Sequence, residues 1–281
     1  MLYDLLNTLK YFHINKKIDK FASKYYVTMK VTLLQRDIVW NNPRENVSRL
    51  SITLDRYHNT DLFILPEMWT TGFAVEPHDI AEDTHSDSLH WMQKVAEEKE
   101  CAICGSIAIK DKEGYHNRFY FVKPDGTTIY YDKRHLFTYG GEDKNYVRGN
   151  ERVIVEYKGI RMLLLVCYDL RFPVWSRYNE DYDIIIYVAN WPTSRVDVWT
   201  TLLKARALEN QCFVIGVNRV GKDPYCPYCG RSIVYDAYGK IIAEGEGDKE
   251  CEVSVEINME KQNSFRKKFP VLNDRDKFNN E

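Results

Sequence analysis

Apolar residues along this chain gather into short runs of strand length, and the polar stretches between them carry apolar positions at helical spacing. The runs predict strands near 30–35, 61–65, 101–109, 116–123, 127–132, 160–166, 183–189, 212–218, 230–236 and 239–244, with one more near 250–257. Helices are expected near 43–58, where Val47, Leu50, Leu54 and Tyr57 recur on one face, near 86–99 and near 197–210. Pro124-Asp125-Gly126 and Asp236-Ala237-Tyr238-Gly239 supply turns between consecutive strands. Strands alternating with helices predict an α/β fold, here a two-sheet core flanked by helices.

The run Leu163-Leu164-Leu165-Val166 stops abruptly at Cys167-Tyr168-Asp169-Leu170-Arg171-Phe172-Pro173. Such a run reads as a strand buried on both faces, and the carboxyl end of such a strand is where open α/β sheets present chemistry. Cys167 therefore stands where a nucleophile would stand, although a free cysteine there also suits a packed core. Two further runs end in the same way. Asp61-Leu62-Phe63-Ile64-Leu65 meets Pro66, which cannot continue a central ladder, so Glu67 projects from a strand terminus. Thr127 to Asp132 delivers Lys133 just beyond its end, followed by Arg134 and His135. Taken singly, Glu67 suits an exposed loop and Lys133 a solvated basic cluster. Together they form a chemical set: a carboxylate can deprotonate a thiol, and an ammonium can stabilise first a thiolate and then an oxyanion. That set suffices for acyl transfer without metal or cofactor.

The residues carrying this set resemble the nitrilase (carbon-nitrogen hydrolase) superfamily. The similarity lies in Leu65-Pro66-Glu67-Met68 with Thr71-Gly72-Phe73, in Tyr131-Asp132-Lys133-Arg134-His135-Leu136-Phe137, and in Val166 to Pro173. It extends to Val174-Trp175-Ser176-Arg177, Tyr187 to Pro192, Ala205 to Gln211 and Asn218-Arg219-Val220-Gly221, and runs from about Met29 to Phe278. Within the superfamily the chain looks closest to the bacterial omega-amidase branch, the YafV-like proteins. The resemblance implies a four-layer α-β-β-α sandwich as a single hydrolase domain over residues 29–281, and a homodimer or larger assembly built through the helix layers. It implies Glu67 as general base and acid, Lys133 as oxyanion stabiliser, Cys167 as nucleophile and the backbone N–H of Tyr168 as a second oxyanion donor. A supporting acid is expected in the loop after Lys133; Glu142 is the assignment and Asp143 the competitor, because Gly140-Gly141 leaves the register open by one residue.

The implied reaction is hydrolysis of a small linear amide to an acid and ammonia through a thioester. The expected substrate is the ω-amide of a 2-oxo dicarboxylic acid, 2-oxoglutaramate or 2-oxosuccinamate. Its distal carboxylate requires a cation, and Arg171, Arg195 and Arg219 are candidates, each equally suited to a structural ion pair. Trp191 and Phe73 either wall the pocket or belong to the core. A nitrile, an N-carbamoyl compound or another amide stays open as substrate, because members share fold and triad while pockets differ. A catalytically silent binding scaffold is the further alternative, which the intact Glu67, Lys133 and Cys167 argue against.

Composition agrees with a soluble enzyme acting on a small molecule. With 281 residues, 44% of them hydrophobic, the chain can bury one large core, and its net charge of −2 leaves no footprint for nucleic acid or an anionic membrane. The longest apolar runs are of strand length, too short to span a bilayer. Residues 1–28 read as an N-terminal extension, poorly ordered or not native. Leu5, Leu9, Phe12 and Lys16 could mark one face of a weak helix, but Met29 opens directly into a strand pattern, which favours an in-frame translation upstream of a start at Met29. Seven cysteines suggest a reducing cytoplasm rather than a disulfide framework. Cys226-Pro227-Tyr228-Cys229 has the spacing of a redox dithiol and makes a thiol-disulfide oxidoreductase the alternative from another class, yet the following residues read as a strand and not the required helix. Cys101 and Cys104, three apart in a strand, point to opposite faces and cannot easily share a zinc ion, so no metal site is expected.

Overall fold

The computed structural model describes residues 27–276 and 278. The expectation for an N-terminal extension therefore lies, up to residue 26, outside the described residues. In chain order the elements begin with β1 (Thr28–Gln35), α1 (Pro43–Leu54), β2 (Leu62–Ile64), β3 (Glu82–Asp83), α2 (Asp87–Glu98), β4 (Ala102–Lys110), β5 (Tyr115–Val122) and β6 (Thr128–Asp132). They continue with β7 (Ile154–Tyr157), β8 (Ile160–Val166), β9 (Ile184–Ala189), α3 (Val196–Asn210), β10 (Phe213–Asn218), β11 (Val220–Lys222) and β12 (Pro227–Cys229). The last are β13 (Ile233–Tyr235), β14 (Ile241–Glu244), β15 (Cys251–Asn258) and α4 (Met259–Lys268).

Two sheets form. The first has the order β15-β1-β2-β4-β5-β6 with β3 beside β4, the second β14-β13-β10-β9-β8-β7, and β11 and β12 make a separate ribbon. Each sheet has a parallel centre, with Val31 opposite Leu62 and Leu62 opposite Ala102 in one, and Leu163 opposite Ile185 and Ile185 opposite Val214 in the other. Because β5 runs antiparallel to β4 and β6 antiparallel to β5, β6 points the same way as the parallel strands. The carboxyl ends of β2, β6, β8 and β9 meet at one end of the molecule, where Asn190 after β9 donates to Glu67 after β2 and Tyr131 of β6 donates to Asp169 after β8.

The period-two alternation of the central strands decides the layering. Val31, Leu33, Leu62, Ile64, Ala102 and Cys104 join the core shared with the second sheet, while Leu34, Phe63, Leu65, Cys101 and Ile103 turn to the other face. There they meet Leu50 and Leu54 of α1 and Leu89, Met92 and Val95 of α2. On the far side, α3 lays Trp199, Leu203 and Ala207 over the second sheet. Gly216 in β10 permits that approach, since a Cβ there would lie 2.5 Å from a Leu203 methyl. The result is the four-layer α-β-β-α sandwich. Burial of one such Leu or Phe is worth about 1.5–3 kcal/mol, and the large inter-sheet cluster holds the sheets together.

Helix starts follow local chemistry. Asn42 caps α1 by accepting the Glu45 N–H at 3.2 Å with Pro43 in the first turn, and Ser86 caps α2 by accepting the Leu89 N–H at 2.9 Å. The boundaries of α1 differ from the expected 43–58: the helix ends at Leu54 because the Arg56 and Tyr57 N–H groups reach back only three residues. Tyr57 leaves the helical stripe and donates its hydroxyl to Glu252 at 2.8 Å. The strand expected over 230–236 is interrupted, since Gly230 and Arg231 take positive φ (75° and 62°), so β12 ends at Cys229 and β13 starts at Ile233. Strands β3, β7 and β11 and helix α4 were not legible in the pattern: the strands are short, and α4 buries only Met259 and Gln262.

Candidate active site

Cys167 directly follows β8 and takes the left-handed conformation, with φ +42°, before the chain turns through a short 3₁₀ helix, Cys167–Arg171. A non-glycine residue held there is strained, and the surroundings must impose it. Asp169 supplies the constraint. Its Oδ2 accepts the Val166 N–H at 3.0 Å and the Tyr131 hydroxyl at 2.7 Å, and its Oδ1 accepts the His135 N–H at 2.9 Å. The Tyr131 hydroxyl in turn accepts from the Arg134 N–H at 3.0 Å and from the Trp175 indole at 3.1 Å. One buried carboxylate thus ties the Cys167 turn of the second sheet to the loop after β6 in the first.

That loop carries Lys133, anchored by its own N–H to the Asn117 carbonyl at 3.0 Å. Its ammonium is buried and donates to Glu67 Oε1 at 2.9 Å and to Glu142 Oε1 and Oε2 at 3.1 and 2.9 Å. Glu67, fully buried beyond β2, also accepts from Asn117 Nδ2 at 2.8 Å and from the Asn190 backbone N–H at 2.8 Å, while Asn190 Nδ2 donates to the Glu67 carbonyl at 2.6 Å. Glu142 is equally buried, reached through a turn at Gly141 (φ +82°), and accepts the Phe137 N–H at 2.6 Å. Asp143, the competing acid, is exposed. The structure therefore brings Glu67, Lys133, Cys167 and Glu142 together and leaves Asp143 out.

Electrostatics follow from this packing. Burial opposes the Lys133 ammonium, but Glu142 and Glu67 outweigh it and raise its pKa, so the lysine stays charged. Burial raises Glu142; Lys133 counteracts this and Glu67 adds to it. Burial also pushes the Cys167 thiol well above its ordinary value of 9.0, reinforced by Glu67 and opposed by Lys133. A thiol raised in this way requires a base to become a thiolate.

A cavity of about 250 Å³ opens over Cys167. Phe73, Lys133, Tyr168, Arg171, Asn190 and Trp191 line it together with Phe137, Arg195 and the Asp223–Tyr228 segment. Phe73 and Trp191 are thus pocket walls, with the Lys133 ammonium 5.1 Å from the Phe73 ring and the Arg171 guanidinium 5.2 Å from Trp191. Tyr168 is the second residue of the 3₁₀ turn, a position whose N–H has no acceptor within the helix. Of the three arginines considered, Arg219 does not reach the pocket. It is buried with its guanidinium on Asp37 Oδ1 at 3.1 Å and the Ile38 carbonyl at 2.9 Å, stacked under Tyr228, and props the ribbon from behind.

Asn117, Asn190 and Asp169 belong to the site and were not singled out from the sequence. Asn190 stands within the quoted Tyr187 to Pro192 motif at the end of β9, a position that could have marked it; Asn117 lies inside β5 among apolar residues, with no local signal. Cys226 also lines the cavity, while Cys229 is buried. Pro227–Cys229 is the strand β12, so no helix N-terminus faces Cys226, and burial raises its thiol pKa instead of lowering it. Neither feature suits a reactive dithiol. Cys101 and Cys104 lie in different core clusters, and among the described residues no group of His, Cys, Asp and Glu is arranged to hold a metal ion.

The same arrangement of elements occurs in known proteins. The family profile described as carbon-nitrogen hydrolase matches residues 30–267. The chain is 44% identical over 252 residues to the omega-amidase YafV of Yersinia enterocolitica, covering 89% of this chain and 98% of that one. It is 33% identical over 250 residues to the 2-oxoglutaramate amidase of Bacillus subtilis (strain 168), covering 87% and 96%. Among solved structures, XC1258 from Xanthomonas campestris, a CN-hydrolase superfamily protein with an arsenic adduct in its active site, superposes with a TM-score of 0.87 at 39% identity, covering 90% of this chain and 98% of that one. With the profile spanning both sheets and every residue of the Glu67, Lys133 and Cys167 cluster, the chain belongs to the carbon-nitrogen hydrolase family.

Proposed function

We propose that the protein is a cysteine-dependent omega-amidase that hydrolyses the ω-amide of a 2-oxo dicarboxylic acid, 2-oxoglutaramate or 2-oxosuccinamate, to the acid and ammonia. The observation that carries the reading is a buried Glu67, Lys133 and Cys167 cluster under a pocket that also holds Arg171, for which no ion-pair partner occurs among the described residues. Similarity to an omega-amidase and to a 2-oxoglutaramate amidase supports the substrate class.

In this mechanism Glu67 takes the thiol proton as sulfur adds to the amide carbon. The oxyanion is held by the Lys133 ammonium and the Tyr168 N–H. Collapse expels ammonia with the proton from Glu67 and leaves a thioester on Cys167; water then attacks with Glu67 again as base, releasing the acid. Glu142 is the supporting acid, keeping Lys133 charged and fixed while Glu67 cycles through its protonated form. Arg171 beside Trp191 draws an anionic substrate into the pocket, and Phe73 and Trp191 exclude water from the reacting centre. No metal or cofactor enters a step.

We also read the molecule as a single hydrolase domain from Met29 onward, a cytoplasmic protein and a homodimer or larger assembly. The seven free cysteines favour a reducing compartment. The exposed Leu208, Tyr238 and Phe269, with Tyr238 stacked on Phe265 at 3.8 Å, give the α3 side an apolar surface for a second copy. Among the described residues no helix is long and apolar enough to cross a membrane.

The test is ammonia release from 2-oxoglutaramate, 2-oxosuccinamate, glutamine, asparagine, an N-carbamoyl amine and an aliphatic nitrile. Release from the two oxo-acid amides above all others is expected. Preference for the nitrile or the N-carbamoyl compound would replace the substrate class.

A further inference from the structure

We propose that Arg195 is the residue that selects a carboxylate-bearing substrate, pairing with the distal carboxylate across the pocket from Cys167. This rests on the omega-amidase reading and names the group behind its specificity.

Arg195 lines the cavity from the start of α3, on the side of the second sheet. Its guanidinium lies 5.6 Å from the ring of Phe137, which belongs to the loop following β6 of the first sheet, so the side chain reaches over the cavity toward the opposite wall. The backbone that aims it is fixed: the Arg195 N–H donates to the Pro192 carbonyl at 3.0 Å, and the Trp191 indole donates to the Arg195 carbonyl at 2.7 Å.

What the guanidinium lacks is an anion. Arg206 of α3 and Arg219 just after β10 pair with Glu209 at 2.8 Å and Asp37 at 3.1 Å, whereas among the described residues no carboxylate lies within ion-pair distance of Arg195. Asp223 is the one carboxylate lining the cavity, and it is committed elsewhere. Its Oδ1 accepts the Tyr225 and Cys226 N–H groups at 2.8 and 2.9 Å, and its Oδ2 accepts the Tyr228 hydroxyl at 2.5 Å. The third cation of the pocket, Lys133, is neutralised by Glu67 and Glu142.

Two guanidiniums without ion-pair partners thus stand among largely apolar walls, a local arrangement that fits a carboxylate-bearing ligand better than a neutral one. Arg171 sits on the same turn as Cys167 with its guanidinium against Trp191, whereas Arg195 comes from another element and reaches the Phe137 wall, so Arg195 is the group we assign to the distal carboxylate. A planar fork of donors suits a carboxylate, and a charge-assisted hydrogen-bonded pair of this kind is worth roughly a 10- to 150-fold change in affinity.

The experiment compares wild type with Arg195→Met and Arg195→Lys in two readouts. The first is kcat/KM on 2-oxoglutaramate and on butyramide, an uncharged amide. The second is calorimetric binding of 2-oxoglutarate, which reports on the carboxylate site whichever amide is turned over. In Arg195→Met the preference for 2-oxoglutaramate over butyramide is expected to fall roughly 10- to 150-fold, mainly through KM, and 2-oxoglutarate binding to weaken by a similar factor. Arg195→Lys, which keeps the charge and loses the fork, should fall between. An unchanged preference together with unchanged 2-oxoglutarate affinity in a folded Arg195→Met protein overturns the proposal. Should wild type fail to hydrolyse 2-oxoglutaramate yet bind 2-oxoglutarate in an Arg195-dependent way, the omega-amidase reading falls and the carboxylate site stands.

Discussion

Glu67 is fixed from three directions, by Lys133, by Asn117 and by the Asn190 backbone, so it cannot swing away from the thiol it must deprotonate. Burial and Glu67 raise the Cys167 thiol, so in the proposed mechanism Glu67 is the base that takes its proton. Glu67→Gln should therefore lower kcat by about 10² or more, and also slow alkylation of Cys167 by iodoacetamide; labelling at the wild-type rate would show that the thiolate forms without Glu67. Lys133→Ala should cost a similar factor through the lost oxyanion partner, and steady-state kinetics on 2-oxoglutaramate would check it. At this scale the sequence was informative where a polar group ends a hydrophobic run, as Glu67, Lys133 and Cys167 do. It was silent where the contact spans a large separation. Asn190 meets Glu67 across 123 positions and Asn117 across 50; Asn190 at least ends a strand, whereas no local pattern marks Asn117. The choice between Glu142 and Asp143 needed the structure too, because only the turn at Gly141 decides which acid faces Lys133.

Between elements, the important connection is the one Asp169 makes. Strand β8 delivers Cys167 and β6 delivers Lys133, but they belong to different sheets, and Asp169 is the carboxylate that accepts hydrogen bonds from both segments. Asp169→Asn is expected to lower unfolding free energy by about 1.5–3 kcal/mol, with a larger loss in kcat than in KM as the nucleophile turn relaxes. Urea unfolding with parallel kinetics checks this, and a variant of unchanged stability and kcat would deny Asp169 that role. Alternation of strands and helices was readable because their apolar periods are long enough to count. The ribbon of β11 and β12 was not: each strand has three residues, and its place over the pocket depends on Arg219 stacking under Tyr228. The Cys226 to Cys229 spacing is that of a redox motif, but the strand-like residues after it already argued against one, and β12 ends at Cys229 without a helix following.

For the whole molecule, buried thiols set a limit at alkaline pH. Burial holds Cys101 up at about 11 and Cys212 at about 12, against an ordinary value of 9.0, and raises Cys104 well above it. Between 9.0 and those values the unfolded chain has released protons that the folded chain keeps, so stability must fall as pH rises. The loss is about 1.4 kcal/mol per pH unit for each fully buried thiol, and is absent below the unfolded value. The melting temperature should therefore hold steady from neutrality to about pH 8.5 and decline continuously above about pH 9, and a flat profile through about pH 10.5 would contradict the burial of these groups.

Whether this molecule is an amidase working through Cys167 is decided by ammonia release from 2-oxoglutaramate, followed for wild type and Cys167→Ala side by side, with circular dichroism confirming that both are folded. Release by wild type, abolished in Cys167→Ala, is the expected result. A Cys167→Ala protein that keeps more than about one hundredth of the wild-type rate would contradict a nucleophilic Cys167.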